Sequence, residues 1–151
     1  MLGKIGEPDE SRNFVGFGIP SPYFDVAVGP QGLLHVVNPG LLRIEAYTFA
    51  GKWVSQWGEA SSKVDGFNGC CNPSHFAFLS DGRFVTAEKG TSRVKVSSRK
   101  GELQCVVAGP QTVPKLPADI CVDGHDRVLI LDAARRGVRV FEYRGNAAGE
   151  E

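Results

Sequence analysis

The sequence predicts an all-β repeat protein of the propeller or solenoid type, because one short unit is written three times. The copies occupy residues 24–51, 74–101 and 118–145, at spacings of 50 and then 44 residues. In each copy an apolar residue stands seven positions before a turn glycine: Ile44 and Gly51, Val94 and Gly101, and Val138 and Gly145. One copy of such a unit cannot bury its own apolar face, so neighbouring copies are expected to pack on one another.

The placement of glycine and proline is the second observation that favours this fold class. The 19 glycines and 9 prolines separate apolar runs instead of forming one tract, which is typical of tight turns between strands. With 42% hydrophobic residues in 151, the chain can also bury an ordinary core. We therefore expect one globular β segment with no long linker.

Apolar alternation and β-branched residues place the strands within each copy. First strands are predicted at residues 25–28, 75–78 and 119–122, second strands at 33–38, 83–88 and 127–132, and third strands at 43–47, 93–97 and 137–141. In the first two copies a fourth strand follows the turn glycine, at residues 52–57 and 102–107. Each copy is expected to form one antiparallel sheet, because its connections are short turns.

The third copy has no predicted fourth strand. Residues 146–151 are polar and glycine-containing, and we expect them to form a disordered tail. The missing strand is predicted at the other end of the chain, where residues 4–7 followed by Phe17 parallel residues 56–59 followed by Phe67. The chain therefore begins with the fourth strand of one blade and ends after the third strand of another.

The run of residues 17–51 carries a family resemblance. Its apolar first strand, its second strand ending at Asn38, Arg43 and the closing Gly51 together resemble the NHL repeat of six-bladed β-propellers. The resemblance covers residues 1–145. It implies three four-stranded antiparallel blades, half of a six-bladed ring, with one blade completed by the N-terminal strand.

Two positions of the third copy depart from the NHL pattern. Asp126 stands where a turn glycine is usual, and Gly137 stands where the other copies have an arginine. We expect these departures to loosen the third blade without changing the fold.

Three blades cannot close a ring, since propellers contain about four to eight. Two copies joined head to tail would supply six blades, and we favour this homodimer as the interpretation. The alternative is that the chain is one half of a longer six-bladed protein. In either case two open sheet faces are expected to need a partner.

Charge and hydropathy exclude some classes of partner. Seventeen basic and seventeen acidic residues leave no net charge to attract nucleic acid or an anionic membrane. No apolar run reaches the roughly 18 residues of a membrane helix, and the chain begins with no export signal. We expect a soluble chain without a signal peptide, and the pattern leaves its cellular compartment open.

The channel face of the predicted propeller is the expected ligand site. Loops that enter the first strands and leave the second strands open on this face, and they present polar residues at equivalent positions in the three copies. These candidate ligand-binding residues are Asp25, Asn38, His75, Glu88, Asp119 and Asp132. A small molecule or a protein is the expected ligand.

Cys70, Cys71 and His75 form the sharpest local cluster. Thiolate and imidazole ligands suit zinc or copper(I), and calcium is a further candidate ion. The two thiols could equally form a redox pair, or one of them could be a reactive nucleophile. The competing interpretation, which we favour, is that both cysteines are small fillers in a tight loop.

Several other side chains have simpler interpretations. We expect His35 to be packed, His125 to be solvated, and Trp53 and Trp57 to share one face of an outer strand because they are four residues apart. The alternation of Arg93, Lys95 and the nearby Arg99 favours the solvated side of an exposed strand.

The sequence contains no nucleophile elbow, phosphate loop or metalloprotease motif. A binding or scaffolding propeller is therefore the preferred function, with its ligand on the channel face. The resemblance to NHL proteins leaves two alternatives. One is a metal-dependent lyase or hydrolase that uses Asp25, His75, Glu88 and Asp119, and the other is an RNA-binding propeller.

Overall fold

The computed structural model describes residues 4–113, 115 and 117–142, and their regular structure is almost entirely β. The strands are β1 Val26–Val28, β2 Leu34–Asn38, β3 Arg43–Tyr47, β4 Trp53–Trp57, β5 His75–Phe78, β6 Phe84–Glu88, β7 Arg93–Ser97, β8 Leu103–Ala108, β9 Asp119–Val122, β10 Val128–Asp132 and β11 Gly137–Phe141. A short 3-10 helix, Glu10–Arg12, precedes them. Among the described residues, no helix has the length and hydropathy needed to cross a membrane.

The strands form three antiparallel sheets in chain order, which confirms the predicted all-β architecture. Blade one is β1-β2-β3-β4, blade two is β5-β6-β7-β8, and blade three is β9-β10-β11. The third strand of every blade begins and ends as predicted, and the other strands agree within one residue. Blade three has three strands in the described part of the chain, and the tail predicted at residues 146–151 lies outside that part.

Adjacent blades pack face to face. The trailing face of a blade is the face that meets the next blade, and the leading face meets the previous one. Val37 and Ile44 on the trailing face of blade one pack against Phe76 and Phe84 on the leading face of blade two. A second apolar cluster joins the trailing face of blade two, including Val94, to the leading face of blade three. The core is therefore a series of layers between sheets.

The N-terminal segment repeats a contact seen between β4 and the loop after it. Gly58 has a φ of 104° and lies under the Phe67 ring, where an added Cβ would be 2.7 Å from the ring. Gly6 has a φ of 83° and lies under the Phe17 ring in the same way, with 2.0 Å left for a Cβ. Both positions demand glycine for its positive φ and for the close approach.

A second contact gives the N-terminal segment the same position. Trp57 at the end of β4 packs on the turn glycine of the next blade, Gly101, and Lys4 packs on the turn glycine of blade one, Gly51. Residues 4–8 nevertheless form no strand, because the described chain offers them no neighbouring strand to pair with. The segment stands where the outermost strand of a preceding blade would end.

A polar pair connects the second and third strands of every blade, and the member on the second strand is buried each time. Asn38 Nδ2 donates to Glu45 Oε1 at 2.9 Å, Lys95 Nζ lies 2.9 Å from Glu88 Oε1, and Arg139 Nε donates to Asp132 Oδ2 at 2.9 Å. The six residues occupy equivalent positions in the three copies.

The prediction that Arg93 and Lys95 lie on the solvated side of their strand is wrong. Lys95 is 1% exposed, and its Nζ also donates to the carbonyls of Val64 and Gly66, at 3.0 and 2.7 Å. Burial holds the pKa of Lys95 below its ordinary value, although Glu88 opposes this shift. Strand alternation did place these residues on one face, but the loop between β4 and β5 covers that face instead of water.

The two tryptophans of β4 lie on opposite faces, contrary to the prediction. A shift in register between β3 and β4 makes Trp53 the partner of Tyr47 and Trp57 the partner of Ile44. A bulge of this kind breaks the two-residue alternation on which the prediction depended. Trp57 does pack between blades as expected, with its ring 4.8 Å from that of Phe84.

His35 is packed, as predicted. Its ring lies edge-on to Phe78 and Phe84 at 5.0 and 5.5 Å. Burial lowers the pKa of His35, opposed by a hydrogen bond with the carbonyl of Leu33. The exposed His125 lies in the turn before β10, also as predicted.

Replacement of Glu88 by Gln should destabilise the protein by about 3 kcal/mol, because it leaves the buried Lys95 ammonium without its counter-charge. Urea unfolding measures this loss. The matched control is Glu59→Gln on an exposed glutamate, which should change the unfolding free energy little. Equal stability of the two variants would contradict a stabilising role for the pair.

His35 should make the protein less stable in mild acid. A lowered folded pKa means that the unfolded chain binds the proton more readily, so its contribution is present above about pH 6.5 and is lost as the pH falls towards the folded pKa. The variant His35→Leu introduces the residue that blade three has at this position and should reduce that pH dependence. Urea unfolding between neutral and mildly acidic pH tests this, and identical pH profiles would contradict it.

Candidate functional site

The inner strands of the three blades bring three candidate residues to one end of the fold. Asp25 directly precedes β1, His75 begins β5 and Asp119 begins β9, so the three residues occupy equivalent positions. The inner strands lie side by side, since β5 contacts both β1 and β9. Each blade therefore supplies one polar side chain to the same end of the inner strands, which we call the rim.

His75 lies between the two carboxylates. Its Nδ1 is 3.6 Å from Asp119 Oδ1 and 3.9 Å from Asp25 Oδ2. The side chains of His75, Asp25 and Asp119 are 15, 27 and 64% exposed, so the imidazole is the most enclosed of the three. Its buried Nε2 has no hydrogen-bond partner among the described residues. This nitrogen can donate to or accept from a ligand, depending on the tautomer.

Backbone amides orient the two carboxylates. Asp25 accepts the N–H of Val26 at 2.8 Å, and its second oxygen accepts the N–H of Phe76, in the next blade, at 2.9 Å. Asp119 accepts the N–H of Ile120 at 2.8 Å. Asp25 is thus fixed to two blades, whereas Asp119 is fixed to one and is largely open to solvent.

Tyr23 and Lys89 border this cluster and were not among the predicted site residues. The Tyr23 ring lies edge-on to His75 at 5.6 Å, and Lys89 Nζ lies 5.4 Å from the centre of the Tyr23 ring. Tyr23 stands two positions before Asp25, and Lys89 directly follows Glu88. Neither signal repeats in the other copies, so comparison of the copies could not find them.

The two adjacent cysteines differ in their surroundings. Cys70 is exposed, and Cys71 is buried. Burial opposes ionisation of Cys71, but contacts with Ser21 and Cys70 and the charge of Lys89 outweigh it and hold the pKa of this thiol below its ordinary value. All four cysteines of the chain are free.

Cys70, Cys71 and His75 do not come together as a metal-binding set. In the part of the chain that the structure describes, no three His, Cys, Asp or Glu side chains are placed to hold a metal ion. Cys71 contacts Ser21 and Lys89, whereas His75 faces Asp25 and Asp119.

The other three candidate ligand-binding residues lie inside the blades. Asn38 and Glu88 are 0% exposed and Asp132 is 2% exposed, and each pairs with a polar side chain of the third strand. Buried polar groups that already have partners are costly to redirect to a ligand. The structure therefore divides the six predicted residues into a rim cluster, Asp25, His75 and Asp119, and an interior set.

Comparison with known proteins supports the fold. No protein-family model and no curated protein matches the chain. Among solved structures, a protein of unknown function from Bacteroides caccae matches at 13% identity with a TM-score of 0.55, covering 87% of this chain and 51% of that one. Virginiamycin B lyase from Staphylococcus aureus, in a catalytically inactive form with quinupristin, matches at 17% identity with a TM-score of 0.56, covering 86% and 45%.

A streptogramin B lyase also matches, at 12% identity and a TM-score of 0.54, with 86% of this chain and 44% of that chain covered. At these identities the likeness shows the fold alone, and that fold is β-propeller-like. The chain spans about half the length of the solved structures that it matches. Its three blades thus fit part of a propeller.

Proposed function

We propose that the chain is a ligand-binding propeller module and that the rim cluster of Asp25, His75 and Asp119 contacts the ligand. The observation that carries this proposal is the enclosed imidazole between two carboxylates, with a buried Nε2 that has no partner among the described residues. A buried polar nitrogen without a partner costs free energy, which a ligand group would recover.

The charge of the rim cluster favours a ligand with hydrogen-bond donors or a cationic group. Two carboxylates flank one imidazole, and Asp119 is 64% exposed and accessible. A primary amine could donate to a carboxylate in a charge-assisted hydrogen bond. Tyr23 adds an aromatic surface beside His75, which suits an apolar part of the same molecule.

Two further observations support a ring with a channel-face ligand. The repeat resembles the NHL repeat, and the matching lyases are proteins of about twice this length. One of these structures is a virginiamycin B lyase with quinupristin. A small molecule at the rim of this chain is in keeping with that pattern.

A lyase activity is the second candidate. A histidine beside carboxylates can act as a general base when its proton acceptor is within reach of a substrate. His75 has this environment, and two of the matching structures are named as lyases. The binding function needs only the contacts described, whereas the lyase also needs a substrate placed at Nε2.

RNA binding is less favoured, because carboxylates already pair with many of the basic residues. Close ion pairs are Arg83 with Asp81, Arg93 with Glu88, Arg127 with Asp123, and Arg139 with Asp132. Paired arginines leave little net positive charge to attract phosphates.

The binding proposal predicts that amine-bearing fragments shift the NMR signals of His75 and Asp119 more than carboxylate analogues of the same shape, since the rim is acidic. The variant His75→Ala should abolish the shift of the Asp119 signal. The matched control His125→Ala, on an exposed turn histidine, should leave both shifts unchanged. Shifts that survive in His75→Ala, or that cluster elsewhere on the protein, would contradict the proposed site.

The lyase candidate predicts turnover of quinupristin, followed by mass spectrometry with added divalent metal. Wild-type protein and His125→Ala should convert it, and His75→Ala should lose at least the roughly 100-fold that a general base contributes. If concentrated wild-type protein does not convert quinupristin, the lyase candidate is wrong for this substrate. The binding proposal would remain open to the fragment experiment.

A further inference from the structure

The trailing face of blade three is apolar and open. Val138 and Val140 are each 56% exposed, and Leu131, the strand partner of Val138, is 42% exposed. The equivalent positions on the trailing faces of the other blades are buried: Val94, Val96 and Ala87 in blade two are at most 1% exposed, and Ile44, Ala46 and Val37 in blade one at most 3%. The same positions therefore change from core to surface because, among the described residues, no blade covers the trailing face of blade three.

The leading face of blade one is open next to the channel. Val26 and Val28 on β1 are 54 and 56% exposed. The residues equivalent to Val26 in the other blades are Phe76 and Ile120, which are 3 and 5% exposed because a preceding blade covers them. One chain thus presents both halves of a blade-to-blade interface, one at each end of its arc.

The N-terminal segment lies on the same side of blade one as this open leading face. It lies against blade one as the end of β4 lies against blade two, with Lys4 on Gly51 as Trp57 is on Gly101. Its position is that of an outermost strand, and blade three is the sheet that has only three strands in the described part of the chain. The N-terminal segment beside blade one therefore has the position of the fourth strand, which blade three lacks in the described part of the chain.

We propose that a second copy of this chain packs head to tail on these faces, so that two copies form one ring of six blades. Each trailing face of blade three would then cover the Val26 and Val28 face of the other copy, continuing the interface that the chain already forms twice internally. A two-fold axis relates the two seams and leaves neither face open. Two arcs also give the length of the single-chain propellers that match this fold.

The ring would complete the rim cluster. Within one chain β1 lies beside β5, and β5 lies beside β9. A second copy would place its β1 beside β9, bringing its Asp25 next to the exposed Asp119. The interface stands independently of the proposed ligand, and the oligomeric state can be measured without one.

Light scattering after size exclusion tests the proposal. Wild-type protein should have the mass of two chains, and Val138→Lys and Val26→Lys should each have the mass of one, because a lysine ammonium cannot be buried in an apolar seam. Both residues are more than half exposed in one chain, so each variant should keep its β-sheet circular dichroism. The matched control is Phe49→Arg at a turn position, 54% exposed, where blade two already has the exposed Arg99. This control should remain a dimer.

Mixing the two lysine variants tests the head-to-tail arrangement. Their heterodimer has one seam with both substitutions and one seam with none, so a species of two chains should reappear. A wild-type mass of one chain would overturn the proposal, and so would a mass above two chains. A dimeric Val26→Lys variant would also overturn it, since it would mean that two blade-three faces pair with each other.

Discussion

The packing of each sheet face against the next blade is the constraint on which this structure depends. A four-stranded sheet has two faces, and a single blade can cover neither of them with its own residues. The third-strand position occupied by Ile44, Val94 and Val138 shows the effect directly. It is 0% exposed in blades one and two and 56% exposed in blade three, although the residue is β-branched and apolar each time. Burial here is a property of the neighbour and not of the local sequence.

A second constraint is the polar pair inside every blade. The second strand ends on Asn38, Glu88 or Asp132, and the partner on the third strand is Glu45, Lys95 or Arg139. The chemistry changes from amide with carboxylate to carboxylate with ammonium or guanidinium, whereas the position does not. Desolvation makes each group costly without its partner, so the two positions must change together. The pair places a polar contact on the leading face of each blade, beside apolar side chains.

Comparison of the three copies predicted the fold well, because turn glycines and strand alternation are local features. All third strands and the rim positions of Asp25, His75 and Asp119 followed from it. It could not predict which face of a strand meets water, since that depends on the neighbouring blades and on the loops between them. For this reason Lys95 was expected in solvent and Asn38, Glu88 and Asp132 in the channel. The bulge beside Tyr47 that separates the two tryptophans has no local signal in the sequence either.

The exposure of Asp119 in the rim cluster and the open trailing face of blade three have the same cause, because no described residue covers that side of blade three. The rim residue of each blade stands at the inner edge of its trailing face and is held by the blade that follows. Asp25 accepts an N–H from blade two, and His75 faces Asp119 in blade three. In the described part of the chain no blade covers Asp119, which is the most exposed of the three residues, at 64%. The electrostatic environment of His75 therefore depends on what covers blade three, because a new neighbour would enclose Asp119 and strengthen its field on the imidazole. In the proposed two-chain ring, the contact that closes the ring would also complete the rim cluster.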